Sequence, residues 1–384
     1  MALHSRDREA PASIAALAIV AWIATMTWLA VTTGGQHDYL FYLQQWRLIL
    51  AGDNPWATSN AYGPGHNALA PLLAFGDFGP KYFIVATLLL ASTLLAARLW
   101  TARGGVGLYG PYLLAIPTNV LVVGMGVIYG LNDGLVTALV IGAVLARCER
   151  RLWLSGALLG LAALVKYYPL FLILPFALEG RRLRPSVAVS AAVVFAAGMA
   201  LAYVLWGPAM IDAVVLGVER GPKLLSILNA LTTVPGAQAP VGWLIDTNAY
   251  FVAAVALIAT GASWWLRLHW LEAAAVTLLA VLLTYKTGHQ QFWMPWLALI
   301  AGLPLVGSRQ SDGMAVAALP LVLFLSLYHW GYQFGSDGYR SSLGWVRAYG
   351  GFVAFPLGAG TLAAWIWLRL RARPQEQGAP VRRP

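Results

Sequence analysis

Residues 186–206 read SVAVSAAVVFAAGMALAYVLW, from Ser186 to Trp206, without one charged side chain. A helix rises about 1.5 Å per residue, so this stretch alone can cross the ~30 Å hydrocarbon core of a bilayer. A strand of an outer-membrane barrel would alternate apolar and polar residues, and this run does not. Arg181, Arg182 and Arg184 stand just before it, and Gly207-Pro208 just after. The rest of the chain has the same character. Of 384 residues, 59% are hydrophobic and only 10% are charged, against about 25% charged in an ordinary soluble domain. So few charges cannot cover a soluble globule, and so much apolar content excludes disorder. The expected fold class is an all-α polytopic membrane protein.

The same criterion gives about twelve transmembrane helices, at roughly 12–32, 80–100, 106–126, 132–147, 151–166, 168–179, 186–206, 240–264, 271–286, 291–307, 313–331 and 347–369. The run Ala12 to Thr32 is too long for the apolar core of a signal peptide and reads as the first span. With the N-terminus in the cytoplasm, inner segments carry 17 of the 25 basic residues, including Arg147, Arg150, Arg151, Arg181, Arg182 and Arg184. That bias predicts an even number of spans with both termini cytoplasmic. Residues 1–373 read as a single membrane domain. Residues 374–384, with Pro374, Gly378 and Pro380, read as a disordered cytoplasmic tail. Cys148 is the only cysteine, so no intrachain disulfide exists.

Two outer segments are long, roughly 33–79 and 206–240. The first holds an amphipathic stretch, Tyr39 to Leu50, with Gln44, Gln45 and Arg47 set against Leu40, Leu43 and Leu50. Such a stretch lies flat in the interface. A Gly/Pro/aromatic segment follows, Asp53-Asn54-Pro55-Trp56 and Tyr62-Gly63-Pro64-Gly65-His66. All four lysines of the chain, Lys81, Lys166, Lys223 and Lys286, fall on the outer side of this topology, the pattern of a pocket for an anion there, with chance placement of so few as the alternative. The net charge of +10 is a matter of topology, and no charged face is left for nucleic acid.

Ionisable residues at membrane depth are costly, so each one needs a reason. Asp38, in Gln36-His37-Asp38-Tyr39, stands just past the first span. It reads as a general base for a hydroxyl or as the cap of the following helix. Lys286 and His289 stand in Tyr285-Lys286-Thr287-Gly288-His289-Gln290-Gln291. An ammonium, an imidazole and two amides there suit a phosphate with sugar hydroxyls beside it, and a snorkelling lysine is the blander reading. Lys166, in Val165-Lys166-Tyr167-Tyr168-Pro169, reads as an anion ligand or an interfacial lysine. Arg220 and Lys223 read as phosphate ligands or as solvated loop charges. His37, Tyr62, His66, Asn132 and Gln290 are candidates for sugar or acceptor contacts; turn packing and capping are the alternatives. Asp133, with Asn132 at the opening of the fourth span, reads as a helix cap, a structural polar contact or part of the site, and the structural reading is preferred. The chain has no Gly-x-x-x-x-Gly-Lys loop, no Gly-x-Gly-x-x-Gly after a strand and no His-Glu-x-x-His. Nucleotide-driven and zinc chemistry therefore have no support. No cofactor and no metal site are expected, with one divalent ion on Asp38 and nearby acids as the lesser option.

Asp38-Tyr39, Leu50-Ala51-Gly52-Asp53-Asn54-Pro55-Trp56, Tyr62-Gly63-Pro64, Gly130-Leu131-Asn132-Asp133, Leu164-Val165-Lys166-Tyr167-Tyr168-Pro169 and Lys286 through Pro295 together resemble the C-type (GT-C) integral-membrane glycosyltransferases. The nearest likeness is to the bacterial polyprenol-phosphate-mannose-dependent α-mannosyltransferase branch. Asn132-Asp133 departs from it where relatives often carry Gln, and Gly63 departs where a second Pro is common. The resemblance implies a GT-C-like fold with interfacial helices in the first outer loop. It implies transfer of a sugar from a polyprenyl-phosphate donor to a glycolipid or polymeric glycan acceptor on the outer side of a bacterial cytoplasmic membrane. Asp38 then takes the place of the general base, and Lys286, His289 and Lys166 take the donor phosphate. Mannose is the expected sugar, with arabinofuranose or another hexose behind it. The expected partners are the lipid donor, the acceptor and membrane lipids.

The chemistry of the residues agrees. A lipid phosphate leaves with little protonation if cations stabilise its growing charge. The acceptor hydroxyl needs a base, and one carboxylate that attacks no sugar itself leads to inversion. A transporter or lipid flippase is the rival reading, for which inverted repeats and midplane polar groups are expected. No internal repeat is evident, and the polar groups gather toward one membrane face.

Overall fold

A computed structural model describes residues 6–35, 38–58, 60–103, 119–211, 215–216, 219–334 and 344–378. The chain runs through α1 (Arg6–Thr32), α2 (Asp38–Leu50), a single turn α3 (Pro64–Asn67) and α4 (Gly79–Arg103). A π-helical segment, Val122–Ile128, leads into α5 (Asp133–Cys148), α6 (Leu152–Val165), α7 (Leu170–Ala177) and α8 (Pro185–Trp206). The second half holds α9 (Ile227–Leu231), α10 (Gln238–Asp246), α11 (Asn248–Leu266), α12 (Trp270–Thr284), α13 (Met294–Gly302), α14 (Arg309–Ala317), α15 (Leu319–Phe334) and α16 (Gly344–Gly378). Two small strand pairs complete the described residues. β1 (Leu178–Glu179) runs antiparallel to β2 (Arg182–Leu183), and β3 (Lys223–Leu224) runs parallel to β4 (Thr287–Gly288).

Side chains are distributed as a bilayer demands. Val204, Ile258 and Leu327 point outward, while Lys81, His66, Asn132 and Asp133 are buried. The exposed apolar side chains suit lipid, and the interior holds the polar groups. The protein is membrane-embedded and helical. α6 packs between α5 and α8, where small residues let backbones approach. A Cβ on Gly156 would lie 2.1 Å from the Val187 carbonyl oxygen, and one on Gly160 would lie 2.7 Å from that of Ala191. Gly156-x-x-x-Gly160 thus forms the seam along which α6 meets α8.

Among the described residues, five helices are long and apolar enough to cross a membrane: Gly79–Ala102, Pro185–Ile211, Asn248–Leu266, Arg309–Gly331 and Tyr349–Arg371. A sixth is added if Val122–Ile128 and Asp133–Cys148, bent by 110°, count as one span. Ala16–Thr32, Leu152–Val165 and Trp270–Thr284 are shorter apolar helices. About twelve were expected, and several of the expected runs are bent or divided. Gly130 at φ +66° turns the chain between the π-helical segment and α5. Pro175 lies inside α7, and the run expected at 291–307 is divided into a 3-10 turn, α13 and a second 3-10 turn. Most of the expected span 106–126 lies outside the described residues.

Two further expectations differ. α16 continues to Gly378, into the segment read as a disordered tail, and residues 379–384 lie outside the described residues. α2 forms where expected, but with another face inward. It buries Tyr39, Tyr42, Leu43, Gln45 and Trp46, and exposes Leu40, Phe41 and Leu50. Aromatic rings outweigh the aliphatic stripe because they find partners: Tyr42 meets Tyr62 edge-on at 5.0 Å between ring centroids.

Candidate active site

The buried face of α2 starts at Asp38 and continues one and two turns later through Tyr42, Gln45 and Trp46. Two contacts fix its entry. The Tyr39 hydroxyl donates to the Asp77 carbonyl at 2.8 Å and accepts from the Lys81 amide at 3.2 Å. The Lys81 ammonium in turn donates to the Thr33 carbonyl at 2.6 Å, at the end of α1. Asp38, at the start of α2, lines a cavity of about 310 Å³ with Tyr62, Lys166, Arg220, Lys286 and His289.

Lys166 arrives at the end of α6. Its ammonium donates to Asp133 Oδ2 at 2.5 Å and lies 5.2 Å from the Tyr62 ring centroid and 4.9 Å from that of Phe292. Tyr62 is brought there by glycine. The Gly63 amide donates to the Val165 carbonyl, and a Cβ on Gly63 would lie 2.2 Å from the Leu164 carbonyl oxygen. The turn can sit on the end of α6 only without side chains.

Lys286 and His289 follow α12. Asn248, the first residue of α11, donates through Nδ2 to the Thr284 carbonyl at 2.8 Å and accepts the Lys286 amide at 2.9 Å. The Lys286 ammonium donates to the Ile245 carbonyl at 3.1 Å. Thr287 and Gly288 then extend and pair with β3. A Cβ on Gly288 would lie 2.2 Å from the Ser226 nitrogen, so glycine permits the close crossing. This pairing ties the segment that holds Arg220 to the end of α12; Arg220, which precedes β3, lines the cavity and has no carboxylate partner among the described residues.

Charge and burial sort these groups. Burial, then the Lys166 charge, lowers His289 from the usual 6.5 to about 4, so its imidazole is neutral at pH 7. Burial lowers Lys286 as well, while Asp246 opposes the shift. Leu170, Phe171, Val252, Val281 and Leu282, on α7, α11 and α12, add hydrocarbon to the lining. The cavity wall therefore combines charged, polar and hydrocarbon side chains.

The predicted site residues divide accordingly. Asp38, Tyr62, Lys166, Arg220, Lys286 and His289 share the cavity. Lys223, His66, Asn132 and Gln290 are not in its wall. Lys223 is exposed and contributes its backbone to β3. His66 and Asn132 are fully buried and bonded to each other, Nδ2 of Asn132 lying 3.3 Å from Nδ1 of His66. Gln290 faces His329, 2.5 Å away, because the 3-10 turn that follows His289 sends Gln291 to the cavity instead. His37 lies outside the described residues. The sequence reading missed Tyr167, Tyr168, Asn248 and Tyr285 in the wall. Tyr167 and Tyr168 follow Lys166 directly, which was the available signal. Among the described residues no group of three or more His, Cys, Asp or Glu could hold a metal ion.

The model of glycosyltransferase family 87 matches residues 60–285, more than half of the chain. The chain belongs to this family. No curated protein matches it. A family 87 glycosyltransferase must place a sugar carbon, a leaving group and an acceptor hydroxyl together, and in the described residues one cavity offers a carboxylate beside cations for that task. Asp38 precedes the matched range, and Lys286 and His289 follow it directly.

Proposed function

We propose that this family 87 glycosyltransferase moves one sugar, mannose, from a polyprenyl-phosphate donor to a hydroxyl of a lipid-linked or polymeric glycan. The reaction runs on the outer side of a bacterial cytoplasmic membrane, with both termini cytoplasmic and with inversion at the anomeric carbon. The observation that carries the proposal is one cavity lined both by Asp38, Arg220, Lys286 and His289 and by Phe171, Val252, Val281 and Leu282. A lipid phosphate sugar combines the same two chemistries, a charged head and a hydrocarbon tail.

In the proposed step Asp38 accepts the proton of the acceptor hydroxyl as its oxygen bonds to the anomeric carbon. The bond from that carbon to the phosphate oxygen breaks, and polyprenyl phosphate leaves with the electron pair. Arg220 and Lys286 stabilise the growing charge. His289, neutral at rest, donates a hydrogen bond to the phosphate or a sugar hydroxyl. Lys166 is already engaged by Asp133, so it adds field more than a free hand. No metal is assigned a step. Membership in a glycosyltransferase family favours this reading over a transporter.

The test uses purified protein in detergent with a series of labelled polyprenyl-phosphate sugars and a glycolipid acceptor. Transfer from the mannosyl donor, absent without acceptor, is expected. Transfer only from nucleotide sugars would overturn the proposal.

A further inference from the structure

His66 and Asn132 do not reach the cavity, yet they close a ring of hydrogen bonds directly behind it. The Tyr42 hydroxyl donates to Asn132 Oδ1 at 3.2 Å. Asn132 Nδ2 lies 3.3 Å from His66 Nδ1, and His66 Nε2 lies 3.1 Å from Gln45 Oε1. Tyr42 and Gln45 both belong to α2, one turn apart, so the ring returns to the helix where it began.

The directions are mutually consistent. If Asn132 donates to Nδ1, that nitrogen is an acceptor, and the single imidazole proton sits on Nε2, where Gln45 Oε1 accepts it. This requires a neutral imidazole. Burial, then the Lys166 charge, lowers His66 to about 3, so the ring is neutral at pH 7. The His66 carbonyl also accepts Trp46 Nε1 at 2.9 Å, and the imidazole packs 4.7 Å from Tyr42 and 4.8 Å from Tyr62, centroid to centroid.

The ring joins three pieces of chain that sequence keeps far apart. Gln45 and Tyr42 are on the helix that starts with Asp38. His66 is on the turn that presents Tyr62 to Lys166. Asn132 is the residue before Asp133, which holds the Lys166 ammonium. We infer that His66, Asn132 and Tyr42 are positioning residues, which fix the Asp38 carboxylate of α2 relative to the Asp133–Lys166 pair without touching substrate. This rests on the proposed role of Asp38. A reacting group displaced by about 1 Å loses on the order of 100-fold in rate, so the ring is expected to act on turnover and to leave donor binding alone.

Tyr42→Phe is the mild variant, since it removes one hydroxyl and keeps the ring stack. His66→Leu is the severe one, and His66→Gln restores the bond to Gln45. In the purified protein, with the polyprenyl-phosphate sugar that the wild type uses, kcat is expected to fall about tenfold for Tyr42→Phe and about 100-fold for His66→Leu. Donor affinity should be unchanged, and His66→Gln should recover part of the loss. Hydrogen exchange of the α2 amides supplies a readout free of turnover: the amides of Tyr42 to Gln45, which bond back to the carbonyls of the Asp38 turn, should exchange faster in Tyr42→Phe while α6 and α8 remain protected. If the wild type transfers no sugar from any polyprenyl phosphate, the proposed function fails, and the exchange result still decides the positioning role. Unchanged kcat together with unchanged α2 exchange in Tyr42→Phe would overturn the inference. So would equal losses in kcat and donor affinity with no rescue by His66→Gln, which would mark the ring as general scaffolding.

Discussion

Lys166, at the end of α6, and Asp133, in the first turn of α5, form a buried ion pair 2.5 Å long against the wall of the cavity. Aromatic rings of Tyr62 and Phe292 cover the same ammonium. Separating buried partners is costly because the survivor keeps its charge without water. Lys166→Met alone, or Asp133→Leu alone, should destabilise the protein by about 3–5 kcal/mol. The double variant should recover most of that loss. Thermal unfolding in detergent reads the outcome, and equal losses in single and double variants would show that packing, not charge, holds the site.

Gly63 rests on the Leu164 carbonyl with no room for a methyl group, whereas a Cβ on Gly52 would meet nothing within 4 Å. Gly63→Ala must push the turn off α6 and lift Tyr62 from Lys166. Overpacking of this kind costs about 1–3 kcal/mol. The variant should unfold at lower temperature and transfer sugar more slowly. Wild-type values in both assays would contradict the contact.

His269 and His289 both titrate near 4, lowered by burial first and then by the charges of Arg147 and Lys166 respectively. The unfolded chain takes up these protons from about pH 6.5 downward, and the folded chain does so only near 4. Stability is therefore complete above pH 6.5 and falls as pH drops toward 4. The unfolding temperature should be lower at pH 5 than at pH 7, and His289→Gln should flatten part of the slope. A flat wild-type curve across that window would count against burial of these rings.

Arg220 reaches the cavity on the segment tied down by β3 and β4. Arg220→Gln should weaken donor binding by about 10-fold or more, as loss of a charge-assisted bond worth roughly 1.5–3 kcal/mol implies. Lys223→Gln, which alters an exposed side chain outside the wall, should leave binding near wild type. Equal effects of the two would point to the general field of the loop rather than a contact by Arg220.

Much of this was legible in the residues. Unbroken runs such as 186–206 mark a helical membrane protein, and the short motifs around Asp38, Tyr62 and Lys166 point to a glycosyltransferase. Asp38, Lys286 and His289, which the expected topology groups on one side of the membrane, line one cavity. What stayed hidden depends on helix phase and on backbone breaks. The inward face of α2 is chosen by Tyr62 and His66, which no periodicity within α2 contains. Gln290 and Gln291 exchange roles because a 3-10 turn follows His289. The pairing of Lys166 with Asp133 depends on how the chain turns at Gly130, between two expected spans, and spacing alone does not give that direction. Hydropathy marks apolar runs such as 168–179 and 291–307 but does not record where a helix breaks inside them.

The most direct measurement compares Asp38→Asn with the wild type in two assays on the same preparation: sugar transfer from the polyprenyl-phosphate donor, and donor binding without acceptor. Loss of a general base lowers turnover by about 10²–10⁴-fold. Turnover of Asp38→Asn should fall in that range while the donor binds as tightly as before. Turnover close to wild type, with the donor still bound, would contradict the assignment of Asp38 as the base.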